Sequence, residues 1–179
     1  MTQKVLVVGG DSNVGKALCK TFCGGHLSVP YVVRTTRGEV LHSDQIHLDL
    51  LNPNLPTDMT YDVIYLVAAI TGIMACEKDP ESWRVNADGP AQLALQATDA
   101  RFDLGKMPAH VVFISSDAVE SAPRLAYSLQ KAYAETVVLS LGGTVVRPAR
   151  ILPERIDNLV ELLIDVGLNR KSGLHRWEG

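Results

Sequence analysis

Tyr127 and Lys131 stand four positions apart, and a pair of serines, Ser115 and Ser116, precedes them. In a helix, two residues at this spacing lie on one face about one turn apart, so a lysine ammonium can lie beside a phenol. A phenol with an ordinary pKa of ~10 is a poor acid–base group at neutral pH, and a nearby positive charge lowers that pKa. The spacing therefore favours proton transfer by Tyr127, with Lys131 lowering the pKa of the phenol. A purely structural role for this common helical pair is the alternative.

A glycine-rich turn, Gly9-Gly10-Asp11-Ser12-Asn13-Val14-Gly15, lies near the start of the chain. It follows an apolar run and opens an amphipathic segment, which is the strand–turn–helix context of a pyrophosphate site. Gly9 permits the tight turn, and Gly15 permits close packing of helix on strand. Ser12 replaces the usual middle glycine, and we expect its side chain either to crowd the pyrophosphate or to hydrogen-bond to it. The turn predicts a dinucleotide site formed by Gly9, Ser12, Asn13, Val14 and Gly15; a glycine turn without a ligand is the alternative.

The second apolar run ends in Arg34-Thr35-Thr36-Arg37, with no carboxylate until Glu39. Sites that select NAD carry an acidic residue at this place, whereas an arginine there accommodates the 2′-phosphate of NADP. Two guanidinium groups beside two hydroxyls suit a phosphate dianion. We therefore expect Arg34 and Arg37 to bind this phosphate, with NADP(H) preferred over NAD(H), which could also bind. Two solvated surface arginines are the alternative.

Short Val- and Ile-rich runs alternate along the chain with longer segments of helical periodicity. This alternation is typical of a parallel sheet whose strands are connected by helices. We predict an α/β fold with a Rossmann-type doubly wound parallel sheet in a single domain of residues 1–179. The predicted strands are Lys4–Val8, Val29–Arg34, Gln45–Leu48, Val63–Val67, His110–Ser115, Thr144–Arg147 and a late strand within Ser172–Trp177. The predicted helices are one from the glycine turn to Gly24-Gly25 and three over Pro80–Ala100, Leu125–Leu141 and Ile156–Val166.

The composition excludes several classes of protein. Of the 179 residues, 46% are hydrophobic and 21% are charged, with a net charge of −3, so a disordered chain and a general attraction for nucleic acid are excluded. The longest apolar run, Val63–Ile70, falls far short of the ~20 residues of a membrane span.

The start of the chain lacks the pattern of a secretory signal, so we expect a cytoplasmic protein. Cys19, Cys23 and Cys76 are expected as small core residues, with no metal site; a metal or redox role is the alternative.

Further stretches match a known family in the order that the family has them. They are His47-Leu48-Asp49, Tyr61-Asp62-Val63-Ile64-Tyr65-Leu66-Val67-Ala68-Ala69, Cys76-Glu77, Val85-Asn86-Ala87-Asp88-Gly89-Pro90, Ser115-Ser116-Asp117-Ala118-Val119 and Val146-Arg147-Pro148. Together with the glycine turn and the Tyr127–Lys131 pair, they resemble the extended branch of the short-chain dehydrogenase/reductase superfamily. The likeness is strongest to dTDP-4-dehydrorhamnose reductase-like proteins and to nucleotide-sugar epimerases and dehydratases.

The resemblance implies a role for each matching residue. Ser116, three positions before Val119, takes the place of the family's serine or threonine and would hydrogen-bond the substrate oxygen. Tyr127 would transfer the proton, Lys131 would tune it, and Asn86 would brace the helix behind the lysine. The cofactor-binding residues implied by the resemblance are Asp49 at the adenine, with Leu50 beside it, and Ala68 and Ala69.

Two departures from the family concern the substrate. The gap between Ser116 and Tyr127 is short, and few residues follow the Arg147-Pro148 strand, where relatives place their substrate-binding region. We therefore divide the chain into a cofactor-binding core, residues 1–152, and a reduced C-terminal substrate region, residues 153–179.

The predicted function is that of an NADP(H)-dependent oxidoreductase of the nucleotide-sugar reductase or epimerase type, acting on a small-molecule substrate with the Ser116, Tyr127, Lys131 set. A catalytically silent NAD(P)-binding regulatory or interaction module is the alternative. The resemblance also implies a homodimer that pairs through the helices predicted over Pro80–Ala100 and Leu125–Leu141. The small residues expected to allow close approach there are Ala91, Ala94, Ala97, Ala126, Ala132 and Ala134.

Overall fold

Seven parallel strands form one sheet in the computed structural model, which describes residues 3–24, 31–56, 60–102 and 107–178. The strands are β1 (Lys4–Val8), β2 (Tyr31–Thr36), β3 (Gln45–His47), β4 (Val63–Leu66), β5 (His110–Ile114), β6 (Thr144–Pro148) and β7 (Gly173–Trp177). Their order across the sheet is β3-β2-β1-β4-β5-β6-β7, and every neighbouring pair is parallel. The chain therefore runs from β1 to one edge and then from β4 to the other, which is the doubly wound order. The predicted Rossmann-type α/β fold is confirmed.

Helices connect these strands. Within the described residues the α-helices are α1 (Asn13–Cys23), α2 (Ile73–Lys78), α3 (Gly89–Phe102), α4 (Ala118–Ser121), α5 (Ala126–Ser140) and α6 (Ile156–Leu168). A π-helical turn, Arg84–Asp88, leads into α3, and a 3₁₀ turn, Pro153–Arg155, leads into α6. The sequence prediction missed α2 and α4, because six and four residues are too few to show a helical period. In the part of the chain that the structure describes, no helix has the length and apolar character that crossing a membrane requires.

Both faces of the sheet are buried, which explains why its strands are apolar at consecutive positions. Leu6 and Val8 of β1 pack on the side of α3 and α5, and Val5 and Val7 pack on the side of α1 and α6. Helix α6 contributes its whole apolar stripe to the second core. The stripe consists of Leu159, Val160, Leu163, Ile164 and Val166.

The alanines expected at a helical interface are mostly core residues. The buried ones are Ala91, Ala94, Ala97 and Ala134, while Ala126 and Ala132 are half-buried. They permit close packing of α3 and α5 on the sheet and on each other rather than on a second chain. The expectation that they form a contact surface is therefore wrong for the four buried alanines.

Strand β2 extends further than the sequence predicted. Val29 and Pro30 of the predicted strand lie outside the described residues, and β2 continues to Thr36, which pairs with His47 of β3. The last predicted strand residue, Arg34, is therefore an interior residue of β2 and pairs with Val7 of β1 and Gln45 of β3. This shift of two residues separates Arg34 from the end of the strand, where ligands of such sheets bind.

The cysteines differ in burial. Cys76 is buried and Cys19 half-buried, but Cys23 is exposed, so the core expectation is wrong for Cys23. All three are free thiols. Among the residues that the structure describes, no three His, Cys, Asp or Glu side chains are grouped so that they could hold a metal ion.

A buried histidine joins three elements at the amino-terminal edge of the sheet. His110 begins β5, is 3% exposed, and its Nε2 lies 2.9 Å from Oγ1 of Thr144, the first residue of β6. Burial and the charge of Arg170 lower the pKa of His110 to about 4. A hydrogen bond with the backbone of Val166 in α6 raises this pKa and so offsets the lowering in part. The imidazole is therefore neutral in the folded protein at neutral pH.

We predict that acidification from about pH 7 to about pH 5 destabilises the fold through His110. The unfolded imidazole takes up a proton near its ordinary pKa of ~6.5, whereas the buried one stays neutral down to about pH 4. Its contribution is complete above the unfolded pKa and is lost as the pH falls towards the folded one, because the unfolded state then binds more protons. Urea unfolding at a series of pH values measures the effect.

The variant His110→Gln keeps an amide that can hydrogen-bond but cannot titrate, so its stability should depend less on pH. His42→Gln, at an exposed position, is the matched control and should retain the wild-type dependence. An unchanged pH dependence in His110→Gln would contradict the assignment.

Candidate active site

The predicted site residues converge at one edge of the sheet. Because all strands are parallel, the segments that follow β1, β2, β4, β5 and β6 meet at their carboxyl ends, where ligands of open α/β sheets bind. Two of the clefts along this edge are lined by predicted site residues. The smaller has a volume of about 270 Å³ and the larger about 460 Å³.

The glycine turn permits backbone contacts that a side chain would block. Gly9 has a φ of +92°, and a Cβ on it would lie 2.6 Å from the backbone nitrogen of Ala68. A Cβ on Gly15 would lie 2.2 Å from the carbonyl oxygen of Gly9. Since real Cβ atoms do not approach other atoms this closely, the turn needs glycine at both positions. The turn therefore retains the exposed backbone surface against which a pyrophosphate can pack.

Ser12 acts as the N-cap of α1. Its Oγ accepts a hydrogen bond from the backbone nitrogen of Gly15 at 3.0 Å and donates one to the carbonyl oxygen of Gly9 at 2.8 Å. An N-cap serine of this kind stabilises a helix start by about 1 kcal/mol. The hydroxyl of Ser12 is thus hydrogen-bonded within the turn, and the residue lines both clefts.

The smaller cleft brings together most of the predicted cofactor-binding residues. Predicted residues among its lining are Gly9, Ser12, Arg37, Asp49, Leu50, Ala68 and Ala69. Val8, Asp11, Thr35, Thr36, Leu48, Ile70 and Val85 complete it.

The two arginines expected at the 2′-phosphate have different positions. Arg34 does not line the cleft: its Nε donates to Asp44 at 3.0 Å, and a Cβ on Gly10 would meet its Cβ at 2.6 Å. Arg37 lines the cleft with 65% of its side chain exposed, and its Nε lies 3.2 Å from a carboxylate oxygen of Asp49. The expectation that both arginines stand at one site is therefore wrong for Arg34, which lies inside β2, whereas Arg37 follows the strand and lines the cleft.

The larger cleft contains the tyrosine and the lysine. It is lined by Ser12, Asn13, Val14, Val67, Ala69, Thr71, Ile114, Ser115, Tyr127, Lys131 and Ile151. Since Ser12 and Ala69 line both clefts, the two are neighbouring parts of one groove. The groove extends from Arg37 past the glycine turn to Tyr127.

Burial controls the protonation of the pair. Lys131 is 3% exposed, its Nζ donates to the carbonyl oxygen of Ile114 at 2.9 Å, and burial lowers its pKa to about 8. The Nζ lies 5.9 Å from the centre of the Tyr127 ring. Burial raises the pKa of Tyr127, and a hydrogen bond with Ser116 opposes this only in part. The expected lowering of the phenol pKa is therefore absent from the protein without ligand.

The two serines after β5 have different surroundings. Ser116 Oγ accepts from the backbone nitrogen of Ala118 at 3.2 Å and lies 3.3 Å from a carboxylate oxygen of Asp117. Ser115 lines the larger cleft, as do Thr71 and Ile151, none of which the sequence analysis assigned to the site. Ser115 belongs to the motif that identified Ser116, so a signal for it existed. Ile151 lies in an irregular segment after β6 and had none.

Asn86 lies behind the site in a buried amide network. Its Oδ1 accepts from the backbone nitrogen of Ile70, and its Nδ2 donates to Oε1 of Gln130, both at 2.9 Å. Gln130 in turn donates to Ser82 at 2.8 Å. Through Asn86, the network joins Ile70, in the segment after β4, to Gln130 of α5, which directly precedes Lys131. Gln130 was missed because a glutamine beside the lysine gives no sequence signal.

The seven-stranded parallel sheet and the groove at its carboxyl edge together define a Rossmann-type α/β protein. Residues 3–173 match the RmlD substrate binding domain family. The chain belongs to this family, and the resemblance inferred from the sequence is confirmed. No curated protein matches the chain.

Several solved structures share the fold. dTDP-4-dehydrorhamnose reductase from Bacillus anthracis, in complex with NADP, is 16% identical with a TM-score of 0.75, covering 100% of this chain and 75% of that one. WbmH from Bordetella bronchiseptica, in complex with NAD+, is 13% identical with a TM-score of 0.72, covering 98% and 75%. The nucleoside-diphosphate-sugar epimerase from Agrobacterium tumefaciens is 23% identical with a TM-score of 0.68, covering 82% and 52%. At these identities the likeness establishes the fold alone.

Proposed function

We propose that the protein is an NADP(H)-dependent oxidoreductase of the nucleotide-sugar reductase or epimerase type that works through Ser116, Tyr127 and Lys131. The observation that carries the proposal is that Tyr127 and Lys131 line the same cleft as residues 12–14 of the glycine turn. An acid–base pair and a dinucleotide cradle in one groove are what hydride transfer to a carbonyl needs.

The residues present suit a nicotinamide dinucleotide. The turn at Gly9 and Gly15, where no Cβ fits, leaves room for a pyrophosphate. In the smaller cleft, Arg37 can bind a 2′-phosphate and Asp49 can contact the adenine. The larger cleft would take the nicotinamide riboside half beside Tyr127 and Lys131. When bound in its reduced form, the cofactor supplies the hydride that the protein itself lacks. One relative of the same fold was solved with NADP and another with NAD+.

The protonation of Tyr127 favours the reductive direction. Because burial raises its pKa, the phenol stays neutral at neutral pH and can donate its proton to a carbonyl oxygen. In this proposal Ser116, which is hydrogen-bonded to Tyr127, also hydrogen-bonds the same oxygen. Lys131 carries positive charge below its pKa of about 8 and so can stabilise the phenolate that is left. Solvent then returns the proton to Tyr127.

The titratable groups that line the larger cleft favour hydride transfer without dehydration. Among the described residues that line the larger cleft, Tyr127 and Lys131 are the titratable ones. Removal of a hydroxyl next to a carbonyl needs a further acid–base group, to take the proton from carbon and to protonate the leaving oxygen. Reduction or oxidation of a carbonyl–alcohol pair, and epimerisation through a ketone, need only the groups that are present.

Residues 1–152 serve in this proposal as the cofactor-binding core, and residues 153–179 as the substrate region. The part of this region that the structure describes contributes no residue to the lining of either cleft. Helix α6 buries its stripe in the core and β7 pairs with β6. The substrate, a small molecule such as a nucleotide sugar, therefore meets an open cleft and binds weakly, because open sites bury less ligand surface.

The proposal predicts the behaviour of Tyr127→Phe. The change removes one hydroxyl and little packing area, so cofactor affinity should stay near the wild-type value while carbonyl reduction falls by roughly 100-fold or more. NADPH oxidation with a panel of nucleotide sugars and small ketones measures activity, and fluorescence titration measures cofactor binding. Tyr133→Phe, at an exposed position of the same helix, is the control and should keep wild-type activity.

Equal activity in Tyr127→Phe and wild type would rule out the assignment. Binding of NADPH by the wild type without its oxidation by any substrate of the panel would instead support the catalytically silent cofactor-binding module.

A second prediction concerns cofactor preference. Arg37→Ala should reduce the ratio of NADPH to NADH affinity roughly tenfold or more, since it removes a charge-assisted contact to the 2′-phosphate. Arg34→Ala is the matched control, because Arg34 is bound to Asp44 outside the cleft and its loss should change the ratio little. Calorimetric titration of both variants with both cofactors measures the ratio. An unchanged ratio in Arg37→Ala would overturn the proposed preference.

We also propose a homodimer that pairs through α3 and α5. Large apolar side chains are exposed on these helices, namely Leu95 at 46%, Leu129 at 50% and Tyr133 at 46%. The ring of Tyr133 lies 5.9 Å from that of Trp83, which is 42% exposed just before the π-helical turn. Apolar side chains grouped in this way support a contact surface.

Sedimentation at micromolar concentration tests the homodimer. We expect the wild type to sediment as a dimer and Leu129→Glu as a monomer, because a buried, unpaired carboxylate opposes association. Leu41→Glu, at an exposed position in the loop after β2, should remain a dimer. A monomeric wild type would contradict the proposal.

A further inference from the structure

One buried hydroxyl in the larger cleft has no partner. Ser115 is 4% exposed and lines the cleft beside Lys131 and Ile114. Its Oγ makes no hydrogen bond to any described residue. Its backbone nitrogen, by contrast, donates to the carbonyl oxygen of Val146 at 2.8 Å, so the residue itself is fixed at the junction of β5 and β6.

An unpaired buried hydroxyl has lost its hydrogen bonds to water without replacing them, so such a group is uncommon without a reason. The other one among the described residues, on Tyr65, lies in the core against Gly167 and lines neither of the two clefts of the groove. Ser115 differs because it stands at the wall of a cleft, where rotation about one side-chain torsion can turn the hydroxyl towards a ligand. The position suits a hydrogen bond that forms only when the cleft is filled.

The neighbours of Ser115 indicate which ligand meets it. Lys131, at 3% exposure, and Ser115 are the most deeply buried polar residues of this lining, whereas Thr71 is exposed and Tyr127 half-buried. Residues 12–14 of the glycine turn line the same cleft. A dinucleotide that starts at the turn and follows the strand ends would lie against these buried residues, with the substrate on its solvent side.

The adjacent serine faces a different group. Ser116 Oγ is engaged with the start of α4 through Ala118 and with Tyr127, on the side where a substrate oxygen would be protonated. The two consecutive serines thus have different surroundings: the hydroxyl of Ser115 is buried without a partner at the wall of the larger cleft, and that of Ser116 is bonded to the start of α4 and to Tyr127.

We propose that Ser115 is a cofactor-binding residue whose hydroxyl forms a hydrogen bond with the nicotinamide riboside half of NADP(H), a role that rests on the proposed function. The bond satisfies the one buried hydroxyl of this cleft that lacks a partner among the described residues. Because Ser115 follows β5 and precedes Ser116, the bond also links the bound cofactor to the segment that carries Ser116.

The test compares Ser115→Ala with Ser116→Ala and the wild type. In the absence of cofactor, Ser115→Ala should unfold at the same temperature as the wild type or a higher one, because it deletes an unpaired group. Its Kd for NADP+ should rise roughly three- to tenfold, the effect of one lost hydrogen bond. Its Kd for 2′,5′-ADP, which lacks the nicotinamide riboside half, should not change. Ser116→Ala should bind NADP+ as the wild type does and lose NADPH oxidation.

A second variant at Ser115 distinguishes a lost hydrogen bond from a folding defect. Ser115→Cys is close to serine in size but carries a weak hydrogen-bonding group, so it should fold and also lose affinity for NADP+ while keeping affinity for 2′,5′-ADP.

Wild-type affinity for NADP+ in both Ser115 variants, or equal losses for NADP+ and 2′,5′-ADP, would overturn the inference while leaving the proposed function intact. A wild type that binds neither ligand would overturn both.

Discussion

The groove depends on close contact between the turn after β1 and the ends of β4 and β2. The backbone nitrogen of Ala68 donates to Val8 at 3.0 Å, and that of Gly9 donates to Oγ1 of Thr35 at 3.0 Å. Only a residue without a Cβ fits at Gly9, so the turn lies directly against both neighbouring strands. This contact keeps the space above the strand ends open for a ligand. The two clefts become parts of one groove because Ser12 and Ala69 stand where they meet.

Burial sets the chemistry at the far end of that groove. Lys131 reaches the Ile114 carbonyl from α5 and lies 4.6 Å from the centre of the Phe113 ring, so its ammonium is held in a largely apolar setting. This setting lowers the pKa of Lys131 to about 8 and raises that of Tyr127. The phenol of Tyr127 is therefore neutral at neutral pH, and the amide network of Asn86 and Gln130 keeps α5 in place.

The sequence predicted the doubly wound parallel sheet and most elements, because Val-rich runs and turn glycines are local signals. It placed Gly9, Asp49, Ala68, Tyr127 and Lys131 in one groove, since parallel strands bring their carboxyl ends together. It could not predict that β2 continues past Arg34, because strand ends depend on pairing with β3. Nor could it predict that the hydroxyl of Ser12 is used inside its own turn, or that Ser115 has no partner, because such contacts depend on tertiary geometry.

Amide hydrogen exchange with and without saturating NADP(H) tests most directly whether the two clefts form one dinucleotide groove. The account predicts slower exchange at both ends together: in the glycine turn and residues 48–50 at one end, and in residues 67–71 and the start of α5 at the other. Exchange that slows only at the glycine turn would mean that the nicotinamide half does not reach Tyr127. Binding without slower exchange at either end would contradict the account altogether.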